Sequence, residues 1–338
     1  MNRAFLLTAL TLALSLTVGM GCLGDAPHDN PLDPNSDSFA TEGEVAGRVT
    51  DRADEPLSEA EVRLILASSG FQIERVTQTD ANGRFAMTAV PEGAGYRLLV
   101  SKEGYDLGML EGIDIRPGEV EQLGTVRLNA LPTFIDATFR AVHISRWWPL
   151  NDLFFLEVSA EVNDADGLFD IEAVVFEIPD LNFSVPLDPQ TAGRFDKSIR
   201  ADSLPTASLQ SLLGQPLRFT VRDMQGVVVR STPRQLVRVV EDTPTTVSPR
   251  ERMLLSTDRP TLTWDPFPPR FPFTYQIDIF RDEVNLAVRV FQISTIAMNV
   301  TSRQLPIPLQ TGAYFWTVTV IDEFGNQSRS KEAGFLIP

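Results

Sequence analysis

The sequence predicts an all-β protein of three consecutive β-sandwich domains behind a secretory signal and an extended tether. Three observations lead there. From about residue 43 onward apolar residues recur at every second position, the period of strands and not of helices. Turn signals cut these runs at short intervals, as at Asp54-Glu55-Pro56, Asp80 to Gly83 and Arg116-Pro117-Gly118. The chain of 338 residues is also too long for one core, which rarely grows past about 250 residues. A content of 43 % hydrophobic and 22 % charged residues excludes wholesale disorder and a polytopic membrane protein. With 45 acidic against 29 basic residues the net charge is −16, which repels phosphate backbones and argues against a nucleic-acid partner.

Residues 1–21 read as a signal peptide: Arg3 supplies the positive start, and an apolar run extends from Ala4 to Val18. At 1.5 Å per residue that run makes about 22 Å of helix, short of the roughly 30 Å of a hydrocarbon core. It ends in Gly19-Met20-Gly21-Cys22, and Cys22 is the only cysteine of the chain. No internal disulfide or multi-thiol metal site can therefore form. A signal that ends at a lone cysteine resembles that of bacterial lipoproteins. The resemblance implies that Cys22 is lipidated and becomes the first residue, anchoring the mature chain without a transmembrane helix. Leu23 in place of Asp implies the outer membrane as the destination, with its face left open.

Residues 22–42 form the tether. Between Leu23 and Glu42 lie three Pro, four Asp and little that could pack. Extended, these 20 residues reach about 65 Å. Asn30-Pro31-Leu32-Asp33-Pro34 resembles the stretch that follows the lipidated cysteine in surface lipoproteins. His28, in the same segment, has nothing to fix a ligand geometry around it.

The first domain spans 43–129, with about seven strands expected from the spacing of its turns. The residues Gly47-Arg48-Val49-Thr50-Asp51, Pro56-Leu57, Thr79-Asp80 with Gly83 and Phe85, Val90-Pro91 and Gly104-Tyr105 closely resemble the carboxypeptidase regulatory-like domain. That resemblance implies a transthyretin-like sandwich, which is not the catalytic part of carboxypeptidases. Asp80 and Gly83 are expected to close a hairpin, Phe85 to enter the core and Tyr105 to plug the end of a strand.

The second domain, 130–240, puts Leu156, Val158, Ala160 and Val162 on one face, with Glu157, Ser159 and Glu161 on the other. Further strands are expected at Phe134–Ile144, Ile171–Ile178, Leu217–Arg222 and Gln235–Val240, with a helical turn in Ser208–Leu213. The pattern is similar to an immunoglobulin-like sandwich without its cysteine pair. The third domain, 241–338, carries Trp264, Tyr275, and Tyr314 with Trp316 in alternation. These look like a fibronectin type III domain, which implies that Trp264 is buried and that the Tyr314 hydroxyl ties down a corner. The proline-rich stretch Pro266 to Pro272 must leave the sheet as a stiff loop.

For chemistry the residues offer little. His143 is the only histidine outside the tether; no Gly-x-Ser-x-Gly or His-Glu-x-x-His pattern occurs, so His143 is expected to be structural. No catalytic residues, enzyme activity or cofactor are expected. Asn163-Asp164-Ala165-Asp166-Gly167 contains part of a calcium-loop pattern, yet an EF-hand register puts Val162 and Ala173 at ligand positions. A hairpin turn with Asp-Gly chemistry is the expected use, with a looser carboxylate site of Asp164, Asp166 and Asp170 left open. Trp147 and Trp148 are adjacent, so they cannot both enter one core. One of them fills a core and the other covers a seam between domains, or the exposed one contacts a sugar ring or a protein.

The expected function is that of a non-catalytic cell-envelope lipoprotein, monomeric, whose sandwiches serve adhesion, protein binding or structural display. Two alternatives stand beside it: a carbohydrate-binding accessory lipoprotein and, less favoured, an envelope hydrolase.

Overall fold

The computed structural model describes residues 41–338, apart from 69, 70, 148, 269, 284 and 285. Cys22, the segment expected to be a signal peptide and all but the end of the expected tether lie outside the described residues, as does Trp148. The described chain is all-β, with short 3-10 turns, and contains no α-helix long and apolar enough to cross a membrane. It divides into two compact units at Asn129/Ala130.

Among its described residues unit 1 holds seven strands: β1 (Glu42–Thr50), β2 (Glu61–Ser68), β3 (Phe71–Gln78), β4 (Arg84–Pro91), β5 (Gly93–Ser101), β6 (Gly108–Ile115) and β7 (Val120–Arg127). One sheet has the order β4-β1-β7 and the other β3-β2-β5-β6. The alternation seen in the sequence sends Val45 and Val49 of β1, Val62 and Leu64 of β2 and Leu98 and Val100 of β5 into the core. Phe85 joins them opposite Gly47 in the β1–β4 register. A Cβ at Gly47 would fall 2.7 Å from that ring, so the glycine makes room for the phenyl group to lie across β1.

The Asp80–Gly83 turn differs from expectation. It is tight, with Asp80 Oδ1 accepting from the N–H groups of Asn82 and Arg84 and with Gly83 at φ +72°, but β3 and β4 belong to different sheets. The turn is an arch over the core and not a hairpin. Local turn chemistry sets where the chain reverses; the apolar faces of both flanking strands set which sheet each one joins. Thr79, at the foot of this arch, is buried, donates through Oγ1 to the Leu57 carbonyl at 2.6 Å and accepts from the Ala60 N–H.

Unit 2 contains β8 (Thr133–Ile144), β9 (Leu153–Asn163), β10 (Ile171–Ile178), β11 (Phe183–Pro186), β12 (Asp188–Pro189), β13 (Arg194–Arg200), β14 (Pro216–Asp223), β15 (Val228–Arg230) and β16 (Arg234–Gln235). After these come β17 (Thr246–Ser248), β18 (Met253–Leu254), β19 (Thr261–Trp264), β20 (Phe273–Glu283), β21 (Leu286–Ala297), β22 (Ser302–Gln304), β23 (Gly312–Asp322), β24 (Gln327–Arg329) and β25 (Ala333–Ile337). The strand expected over Gln235–Val240 shrinks to Arg234–Gln235, because Leu236 and Val240 each enter a different core and the chain between them crosses from one to the other. The helical turn expected in Ser208–Leu213 is a 3-10 turn at Gln210–Leu212.

Two hydrophobic cores fill the unit. The first lies between the β11-β10-β14-β15 sheet and β12-β13-β9-β8, and buries Leu156, Val158, Ala160 and Val162 together with Phe176 and Phe219. The second lies between β17-β19-β22 and the sheet portion β24-β23-β20-β21, around Trp264, Tyr275 and Trp316. The Tyr314 hydroxyl donates to the Gln310 carbonyl at 2.9 Å, fastening the corner at the start of β23. Both sandwiches share one sheet, because β24 pairs in parallel with β8: Gln327 with Val142, Ser328 with His143 and Arg329 with Ile144.

Replacing Thr79 by Val should remove both bonds of its hydroxyl and leave the Ala60 N–H without a partner. The expected cost is about 1–3 kcal/mol, read as a lower urea midpoint at unchanged slope.

Candidate functional site

The strands β8 and β24 carry the residues that order this part of the surface. His143 is 3 % exposed and stacks on Phe154 at 4.1 Å between ring centres. Its Nε2 lies 3.0 Å from Asp152 Oδ2 and its Nδ1 3.3 Å from Ser328 Oγ. Ser145 donates through Oγ to the other oxygen of Asp152. The order Ser328–His143–Asp152 has the look of a nucleophile relay, but Ser328 is fully buried and spends its hydrogen on the Asp242 carbonyl at 2.7 Å. No reacting atom can reach that oxygen, and the set fastens β8 to β24. Burial pushes the Asp152 carboxyl up, but the hydrogen bonds from His143 and Ser145 and the charges of His143 and Lys331 outweigh it and hold the group below the usual carboxylate range.

Past this seam the chain emerges at Trp147, whose side chain is 62 % exposed. It is exposed but held: Nε1 donates to the Glu332 carbonyl at 2.7 Å, and the Lys331 ammonium sits 4.6 Å from the ring centre. Ser145, two residues earlier, is fixed by its N–H to the Arg329 carbonyl. The indole forms one wall of an open cleft of about 660 Å³, with Phe315 and Pro244 as apolar lining and Arg250 and Arg252 as cationic lining. Glu251 and Glu332 line it as well, and Arg250 pairs with Glu251 at 3.4 Å, so the cleft offers aromatic area and charges of both signs, suited to an extended, charged segment better than to a small uncharged molecule.

The carboxylates Asp164, Asp166 and Asp170 come together at the opposite ends of β9 and β10. Asp164 follows β9, and Asp170 closes the 3-10 turn Leu168–Asp170 that leads into β10. The turn is not the hairpin its sequence predicts, because β9 and β10 lie in different sheets. Gly167, at φ +107°, lets the chain double back; a Cβ there would meet the Phe169 ring at 2.5 Å. All three acids are buried, and one ligand oxygen from each lies within 4.8 Å of the others. Asp164 Oδ1 accepts from the Asp166 N–H and Asp166 Oδ2 accepts from the Ala130 N–H at 2.7 Å. Burial pushes the Asp164 carboxyl above the usual range; the bond from the Asp166 N–H opposes this, and the charges of Asp166, Asp170 and Asp223 add to it.

Residues 44–129 match the family of carboxypeptidase regulatory-like domains. The match ends at the boundary between the two units. No curated protein matches the chain. Among solved structures it is similar to BcpA, the major pilin subunit of Bacillus cereus, at 11 % identity over 88 % of this chain and 98 % of that one, TM-score 0.30. The FN1–FN3 domains of chicken CNTN1 overlap at 11 % identity, covering 88 % of this chain and 99 % of that one, TM-score 0.30. The fibronectin(III)-like modules of Clostridium thermocellum CbhA do so at 12 % identity, covering 61 % and 94 %, TM-score 0.28.

Sequence reading singled out Trp147 and the three acids but missed Asp152, Ser328, Lys331 and Asp223. Each sits in an ordinary polar context, and only strand pairing or the ends of distant strands bring it to the others. Because Asp152 titrates lower folded than unfolded, its contribution is fully present above the ordinary carboxylate value near 4 and is lost as the pH falls through the lowered one. Asp152→Asn should therefore cost about 1 kcal/mol at neutral pH, kept small by the carboxylate's partial exposure. The gap between variant and parent should narrow as the pH falls below about 4 and close once it has passed the lowered value, as read by denaturation across pH.

Proposed function

We propose that this chain is a non-catalytic envelope lipoprotein that displays the cleft beside Trp147 for contact with a protein partner. The observation that carries this reading is an exposed indole held in place from two sides, by the Glu332 carbonyl and the Lys331 ammonium. A large aromatic side chain that is ordered before binding loses little entropy on contact, which is how binding anchors behave. A protein partner fits better than a glycan. The indole N–H is already taken, Lys331 covers one face of the ring that a sugar would stack on, and the mixed charges of Arg250, Glu251 and Arg252 suit a protein surface. The carboxypeptidase regulatory-like unit and the fully buried Ser328 agree with contact rather than turnover. In this reading the thiol of Cys22 carries the lipid, and the acidic tether holds the body away from the membrane.

Trp147→Ala in the full chain should leave the melting temperature within a degree or two, because the side chain is mostly exposed. It should weaken retention on immobilised envelope proteins by at least tenfold. Equal retention by variant and parent would overturn the reading, and specific hits on a glycan array that vanish in the variant would favour carbohydrate binding instead. Cys22→Ser should move the protein from the membrane pellet to the soluble fraction on cell fractionation. A variant that stays in the pellet would remove the lipid anchor from the proposal.

A further inference from the structure

We propose that Asp164, Asp166 and Asp170 form a calcium site. The three residues are 5 %, 8 % and 3 % exposed, and the charge of the buried Asp223 acts on Asp164 in addition. Carboxylates buried side by side repel one another and have lost most of their hydration, an arrangement that a bound cation relieves. A second observation is independent of the clustering. Asp164 Oδ2 is enclosed by the protein and meets no hydrogen-bond donor among the described residues. Buried carboxylate oxygens are ordinarily satisfied, as both oxygens of the buried Asp322 are.

The donor set selects the ion. It contains oxygens only, which suits a hard cation. Oxygens that share a Ca²⁺ at about 2.3–2.6 Å can stand at most about 5 Å apart, and these lie within 4.8 Å of one another. Mg²⁺ holds its ligands at about 2.0–2.1 Å in a near-octahedral shell, so oxygens that share it stand at most about 4.2 Å apart, whereas Ca²⁺ accepts a wider and less regular set. The N–H groups of Ala130 and Asp166 orient two of the carboxylates, as outer partners do at metal sites.

The test uses the full chain, stripped with a chelator, dialysed, and titrated with CaCl₂ in a calorimeter and in thermal melts. One Ca²⁺ should bind per chain, and the melting temperature should rise by about 3–6 °C at a tenfold excess over Kd. Mg²⁺ should bind at least tenfold more weakly. Asp164→Asn should lose more than tenfold in calcium affinity while melting no lower than the parent in chelator, since one buried charge has gone. Should that variant fail to fold by circular dichroism, Asp170→Asn carries the same comparison. No heat and no thermal shift at about 5 mM CaCl₂ would overturn the proposal. Equal affinity for Mg²⁺, or unchanged calcium binding in the folded variant, would do the same.

Discussion

Three residues of β24 lying parallel to β8 govern how the C-terminal unit is built. Without them each sandwich would end in an open strand edge, with unpaired N–H and C=O groups facing solvent. With them, the two edges satisfy each other and the sheet runs on through both cores. Three pairs of residues are a small contact, so side chains reinforce it. Asn326 Oδ1 accepts from the Ala141 N–H of β8, and its amide donates to Asp322, which also takes two backbone N–H bonds and an Arg238 guanidinium. Arg238 in turn lies over the Phe271 ring at 4.3 Å. Asp322 is thus a fully satisfied buried charge, the condition under which such a group can be kept inside a protein.

The cleft follows from this seam. Trp147 lies three residues beyond the end of β8, and the residues it leans on, Lys331 and Glu332, follow β24. Parallel pairing carries the two chain segments out of the sheet in the same direction, so the tryptophan meets its supports without a long loop. The position of an exposed aromatic side chain is in this way set by backbone hydrogen bonds several residues before it.

Much of this architecture was legible in the residues. Alternation located Leu156 to Val162 on the buried face of β9, and the regulatory-like motif placed Phe85 in the core and a tight reversal at Asp80–Gly83. The Tyr314 corner was readable because its partner, Gln310, is only four residues away. What escaped was contact between segments far apart in the chain. Turn chemistry at Asp80–Gly83 and at Asp164–Gly167 reports a reversal, but not whether the strands on either side pair with each other. The β24–β8 pairing has no sequence signal of its own, since Gln327-Ser328-Arg329 is polar and brief. For the same reason Asp223 could not be joined to Asp164, nor Ser328 to His143, before the sheets were known.

The shared sheet also bears on how such a chain can be recombined. Sandwich domains are commonly thought of as cassettes that gene rearrangement can insert, delete or reorder at their linkers. A cut near Val240 would strip Asn326 from Ala141, expose His143 and Ser328 to water, and leave Trp147 without the carbonyl that holds it. The last 209 residues therefore behave as one structural block, and a crossover that leaves its contacts whole falls at Asn129/Ala130, where the contacts divide.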